Sequence, residues 1–127
     1  MLLIVDDNKK AAEALGKLLT QDGYKVSFAY DGETAIALAQ RSNPDAIILD
    51  IDLPGKDGYE VARILKYELN SPATLIALTG YYGRREDKQT AKDAGFDHHL
   101  TKPILVADIE RLLTTPSRNV ARGLNWS

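Results

Sequence analysis

Ala46-Ile47-Ile48-Leu49-Asp50-Ile51-Asp52-Leu53-Pro54-Gly55-Lys56-Asp57-Gly58 decides the fold of this chain. Four apolar residues in a row that stop abruptly at carboxylates, followed by Pro and Gly, predict a strand buried on both faces, with an acid at its C-terminal tip. An ionised Asp beside such a run is costly to bury unless something pairs with it. Asp50 therefore either marks where the strand meets water or is placed there for chemistry. The rest of the chain has to decide between the two.

Outward from this strand, the same kind of element recurs. Leu2–Val5 is a second short apolar run, closed by Asp6-Asp7. From Asn8 to Gln21, residues Ala11, Ala12, Leu15, Leu18 and Leu19 recur at helical spacing on one expected face, with Asp7 as the expected N-cap and Gly23 as the stop. Lys25–Ala29 alternates weakly as a strand, and Asp31-Gly32 opens a helix that ends before Asn43-Pro44. Beyond Asp57-Gly58, expected to be a turn and helix cap, Tyr59–Leu69 is helical and Ser71-Pro72 breaks it. Thr74–Thr79 is another buried strand, Arg84–Ala94 a polar helix and His98–Thr101 a short strand. After the Lys102-Pro103 break, Leu105–Thr114 is the last helix, with Leu105, Ile109, Leu112 and Leu113 expected on its inner side. Strand and helix alternate five times, which predicts an α/β fold: a doubly wound, flavodoxin-like five-stranded parallel sheet of order 2-1-3-4-5. Residues 1–115 form the expected domain and 116–127, with Trp126, a flexible tail.

The 127 residues suffice for one core, and 44% apolar with 27% charged residues is ordinary for a globular protein. A net charge of −2 gives no reason to expect nucleic-acid binding. The absence of cysteine removes disulfides, a thiolate nucleophile and Cys-based zinc sites. The apolar start, Met1 to Val5, is too short for a signal peptide or a membrane span, so a cytoplasmic location is expected.

Ligands of open parallel sheets bind beyond the carboxyl ends of the strands, where strand order reverses. In this chain those ends deliver Asp6, Asp7, Asp50, Thr79 and Lys102. Like charges ~4 Å apart repel by ~1 kcal/mol in water and ~4 kcal/mol at an effective dielectric of 20, so three acids there call for a cation. Mg²⁺ takes one or two carboxylates plus water and phosphate oxygens, which suits Asp7 and Asp50, with Asp6 through water and the backbone oxygen of Asp52. An ammonium and a hydroxyl beside such an ion could then hold the remaining oxygens of a phosphoryl group, and Asp is a known covalent acceptor of one. That arrangement suggests phosphoryl transfer onto Asp50.

Asp6-Asp7, the Asp50 to Gly58 string, Thr79-Gly80 and Lys102-Pro103, in that order and each at a strand end, resemble the motif set of response-regulator receiver domains from residue 2 to about 114. The resemblance implies that Asp50 is the phosphoacceptor, that Asp6, Asp7 and Asp50 with the Asp52 main-chain oxygen bind Mg²⁺ (or Mn²⁺), that Thr79 is the switch hydroxyl and that Lys102 binds phosphate. It implies a signalling switch and not a metabolic enzyme, with autophosphorylation and autodephosphorylation activity. The phosphoryl donor would be a histidine kinase or histidine phosphotransfer protein. A homodimer through the face of the helix at 84–94, the strand at 98–101 and the helix at 105–114 is a further implication, as is a cis Lys102–Pro103 bond. His99 stands where the family usually carries an aromatic coupling residue, and so puts a titratable ring there. Asp52 adds a carboxylate beside the attack path. The run Gly95-Phe96-Asp97-His98-His99-Leu100 is similar to receiver modules of hybrid histidine kinases.

Two rival functions fit the topology. Asp50-Ile51-Asp52 mimics the Asp-x-Asp of haloacid-dehalogenase-like phosphatases, but Pro54 stands where those enzymes want Thr or Val and there is no cap domain. A flavodoxin-like FMN binder would want a Ser/Thr/Gly-rich loop after the first strand, where this chain has acids. His98 and His99 point to opposite faces of a strand and cannot share an ion. Tyr81, Tyr82, Arg84 and Arg85 read as a solvated loop and helix start, or as a partner surface.

Overall fold

The computed structural model describes residues 1–53, 55, 57–80 and 85–114. Pro54, Lys56, Tyr81, Tyr82, Arg84 and the expected tail with Trp126 lie outside them. Five parallel strands, β1 (Leu2–Val5), β2 (Val26–Ala29), β3 (Ala46–Asp50), β4 (Thr74–Thr79) and β5 (His98–Thr101), form one sheet in the order β2-β1-β3-β4-β5. The helices are α1 (Lys9–Gln21), α2 (Gly32–Ser42), α3 (Gly58–Arg63), α4 (Arg85–Ala94) and α5 (Val106–Thr114). The sheet carries one apolar layer on each face. Leu3, Val5, Ile47, Leu49, Leu75 and Ala77 lie on one side with Val61, Ala62 and Ala91. Ile4, Ile48, Ile76, Leu78 and Leu100 lie on the other with Leu19, Ile109 and Leu112. The central strands β1 and β3 are buried throughout, because helices cover both of their faces. Edge strand β2 is only half-buried, which is why its sequence alternates weakly.

The doubly wound order is as expected, and several local details are not. The N-cap of α1 is Asn8, whose side-chain oxygen accepts the Ala11 amide at 3.1 Å; Asp7 is thereby left outside the helix cap. Asp31 and Asp57 do cap α2 and α3, accepting from the Thr34 and Glu60 amides. The expected single helix 59–69 is α-helical to Arg63 and then passes through a π turn, Ile64–Glu68. A single π turn inside a helix is too short to set a period of its own, so periodicity does not reveal it. Leu18 and Leu105, expected inside, are 49% and 65% exposed, and Ala11 is exposed as well. Ala11 and Leu18 lie on α1, and Leu105 precedes the first residue of α5.

Candidate functional site

The carboxyl ends of β1, β3, β4 and β5 bring the polar residues together. Asp6 and Asp50 are each 4% exposed, whereas Asp7 is exposed. One ligand oxygen from each of Asp6, Asp7 and Asp50 falls within 4.8 Å of the others, and this is the one metal-capable cluster among the described residues. Three hard carboxylate oxygens converging on one point fit a divalent cation of the Mg²⁺ type, and no soft donor is present.

Local backbone bonds aim these acids. Asp6 Oδ1 accepts the Asn8 amide at 2.9 Å, and Asp50 Oδ1 accepts the Asp52 amide at 2.9 Å. Both are Asx-type turns, which leave the second oxygen of each carboxylate for other partners. The loop after Asp50 is pinned by the Gly58 amide, which donates to the Ile51 carbonyl at 3.0 Å. A side chain at 58 would sit 2.4 Å from Ile51 Cα and 2.7 Å from the Asp50 carbonyl oxygen. Only glycine lets the start of α3 approach the tip of β3 this closely. The Asp57-Gly58 pair is thus structural, as expected, and it supports the site from beneath.

Lys102 follows β5 and its peptide bond to Pro103 is cis. Its Nζ lies 2.7 Å from Asp50 Oδ2 and 4.0 Å from Asp6 Oδ2. Burial works against the ammonium's charge, but the Asp50 hydrogen bond and the charges of Asp50, Asp6 and Asp52 outweigh it and hold the Lys102 pKa above its ordinary value. Burial is also the main cause that raises the Asp6 carboxyl; the neighbouring Asp50 adds to the rise, while the Asn8 amide and Lys102 oppose it. A cation among the acids would relieve this repulsion directly.

Thr79 ends β4, buried, and its Oγ1 lies 2.9 Å from His99 Nε2. The backbone of Lys102 is tied to the same strand end through its amide and the Thr79 carbonyl, at 3.0 Å. His98, on the other face of β5, is buried with both ring nitrogens unpartnered, so the two histidines are indeed separated by the sheet. The side chain of Asp52 is exposed, and its Oδ2 lies 4.0 Å from the point where a Cβ on Gly80 would stand. From Asp6 and Lys102 a groove of 310 Å³ runs along α1, walled by Leu15, Leu18, Pro103 and Ile104 among others.

Asp6, Asp7, Asp50, Thr79 and Lys102, expected at one sheet edge from strand order alone, therefore meet there. The Asn8 and Asp52 amides and the glycine at 58 complete the scaffold. The sequence reading missed the Asx turn at Asp50-Ile51-Asp52; an Asp at a strand end is the signal that could have found it.

A parallel five-stranded sheet with a carboxylate cluster and one lysine at its carboxyl edge defines the class of doubly wound receiver-type proteins. The family model described as the response regulator receiver domain matches residues 2–114, and the chain belongs to that family. It is 39% identical over 103 residues, 81% of this chain, to the response regulator PleD of Caulobacter vibrioides, and it spans 23% of that relative's length. The receiver domain of the Francisella response regulator 1452 superposes with a TM-score of 0.83 at 27% identity, over 94% of this chain and 97% of that one. A response regulator from Burkholderia pseudomallei, solved with a phosphorylated aspartic acid, a calcium ion and citrate, superposes with a TM-score of 0.82 at 29% identity, over 96% of this chain and 71% of the other. Family membership sets this chain apart from the phosphohydrolase and FMN-binding readings of the same topology. Among the described residues no helix is long and apolar enough to cross a membrane.

Proposed function

We propose that this receiver domain accepts a phosphoryl group on Asp50 from a phosphohistidine of a histidine kinase or a histidine phosphotransfer protein. The observation that carries the reading is the Lys102 ammonium 2.7 Å from an Asp50 oxygen that lies in a cluster of three carboxylates. Lone buried acids need one cation; three need more charge than one ammonium supplies.

An Asp50 oxygen attacks phosphorus, the P–N bond of the phosphohistidine breaks and the imidazole leaves. Asp6, Asp7 and Asp50, with the Asp52 main-chain oxygen, would hold Mg²⁺ or Mn²⁺, which supplies neutralisation of the acids and of one phosphoryl oxygen. Lys102 stays on the phosphoryl group as Asp50 changes from carboxylate to acyl phosphate. The Thr79 hydroxyl donates to a further phosphoryl oxygen. The groove along α1 opens onto Asp6 and Lys102, and this access supports delivery by a macromolecular donor. The same site accepts small phosphodonors and loses its phosphoryl group to water, without acting as a metabolic enzyme. Movement of Thr79 and His99 then shifts the population of conformations of the α4-β5-α5 face, where partners or a second copy bind. The Burkholderia relative, crystallised with a phosphorylated aspartic acid, supports the chemistry by analogy. We place the domain, residues 1–115, in the cytoplasm, either as a regulator or as a module of a hybrid kinase.

Intact-protein mass after incubation with Mg²⁺ and acetyl phosphate tests this reading. One phosphoryl adduct on the wild type and none on Asp50→Ala is expected. Equal labelling of the variant refutes the assignment of Asp50.

A further inference from the structure

The Thr79 hydroxyl has a single hydrogen to donate, so its neighbours compete for it. Its oxygen lies 2.9 Å from His99 Nε2 and 3.4 Å from both the Leu100 carbonyl and the Thr101 hydroxyl. Thr79 and His99 are 1% and 2% exposed, so water cannot replace a partner that either one loses. Among the described residues no hydrogen bond joins the Thr79 hydroxyl to the Asp50 or Lys102 side chain, although all three occupy the same edge of the sheet. All three contacts of the hydroxyl oxygen are to residues of β5.

We propose that His99 is a positioning residue that holds the Thr79 hydroxyl through Nε2, so that a phosphoryl group on Asp50 must win the hydroxyl from the imidazole. The inference rests on Asp50 being the phosphoacceptor and adds what sets the balance of the switch: exchange of one buried hydrogen bond for another, as distinct from repacking of a ring. Nε2 without a proton accepts the Thr79 hydrogen. When the hydroxyl turns to the phosphoryl group, that nitrogen is left without this bond in a buried place, which opposes the switch. Phenylalanine at 99 would fill a similar volume and carry no acceptor. If packing alone coupled the two positions, phenylalanine would serve as well as histidine.

The test is an NMR titration of the full chain with beryllofluoride and Mg²⁺, beryllofluoride being a mimic of a phosphoryl group on a carboxylate. His99→Phe is expected to tighten beryllofluoride binding by ~2–10-fold, the span of one net hydrogen bond. His99→Gln, which restores a polar side chain, moves the affinity back toward wild type. In a Thr79→Ala background His99→Phe is expected to change nothing. Unchanged affinity of His99→Phe, or the same change with alanine at 79, overturns the inference. The wild type gives an independent readout: the ¹⁵N resonance of His99 Nε2 must move when beryllofluoride binds, and a fixed resonance overturns the inference even if His99→Phe does not fold. A wild type that takes up neither beryllofluoride nor acetyl phosphate overturns the phosphoacceptor reading itself, and this inference with it.

Discussion

Two buried aspartates sit at opposite ends of the sheet with nearly the same partners. Asp50, at the carboxyl end of β3, is 4% exposed; it accepts the Asp52 amide at 2.9 Å and meets Lys102 at 2.7 Å. Asp97, just before β5, is 7% exposed; it accepts the Leu75 amide at 2.8 Å and meets Lys66 at 3.5 Å. Asp97 also donates its own amide to the Leu75 carbonyl at 2.8 Å, so it straps the start of β4 to the start of β5. One acid, one amide and one ammonium balance there. At the upper end Asp6 and Asp7 crowd against Asp50 and the balance fails. A buried acid–lysine pair is thus no sign of function by itself; unrelieved like charge around it is.

Breaking the lower strap should have the largest effect. Asp97→Ala leaves the Leu75 amide unpaired in the interior, and a loss of ~2–4 kcal/mol in urea unfolding is expected. A loss under ~0.5 kcal/mol, the range of an ordinary surface substitution, would remove the contrast between the two ends. The upper end should respond to metal instead. Mg²⁺ at a hundredfold excess over its Kd should stabilise the wild type by ~2.7 kcal/mol, as seen in thermal melts. Asp50→Asn should lose most of that gain yet be no less stable than the wild type without metal, because one of three mutually repelling charges is gone. Equal Mg²⁺ stabilisation of both proteins would contradict a cation held by these acids.

The smallest effect sharpens the comparison with a buried group that lacks any counter-charge bond. Burial lowers the His98 pKa below its ordinary 6.5, and the charge of Asp97 only partly offsets this. The unfolded chain therefore takes up a proton at His98 before the folded chain does. Its share of stability is complete above pH 6.5 and is lost as pH falls through that value toward the folded pKa. The loss cannot exceed ~1.4 kcal/mol per pH unit for one proton. His98→Phe should flatten that part of a stability–pH curve measured by denaturant unfolding, and an unchanged slope would show that other groups produce it.

Much of the upper site was legible before any coordinates, because an acid or a lysine directly after a buried strand can only lie at the sheet edge. The lower strap was not. Asp97 sits in a run whose spacing says nothing about the ammonium of Lys66 or an amide on the neighbouring strand. The same holds for His99: its face of the strand followed from alternation, whereas its bond to Thr79 depended on the register of β4 against β5.

The amino-acid sequence by itself determined the alternation of elements, the order of the sheet and which side chains reach its carboxyl edge. These follow from apolar runs, caps and the handedness of crossovers, which are local or topological rules. Only the tertiary structure decided that Asn8 and not Asp7 caps α1, that Leu18 and Leu105 stay in water, and that Thr79 is turned toward His99. The cap turns on which of two neighbouring side chains reaches the Ala11 amide; the other outcomes depend on distances between segments far apart in the chain, where an ångström separates a hydrogen bond from none.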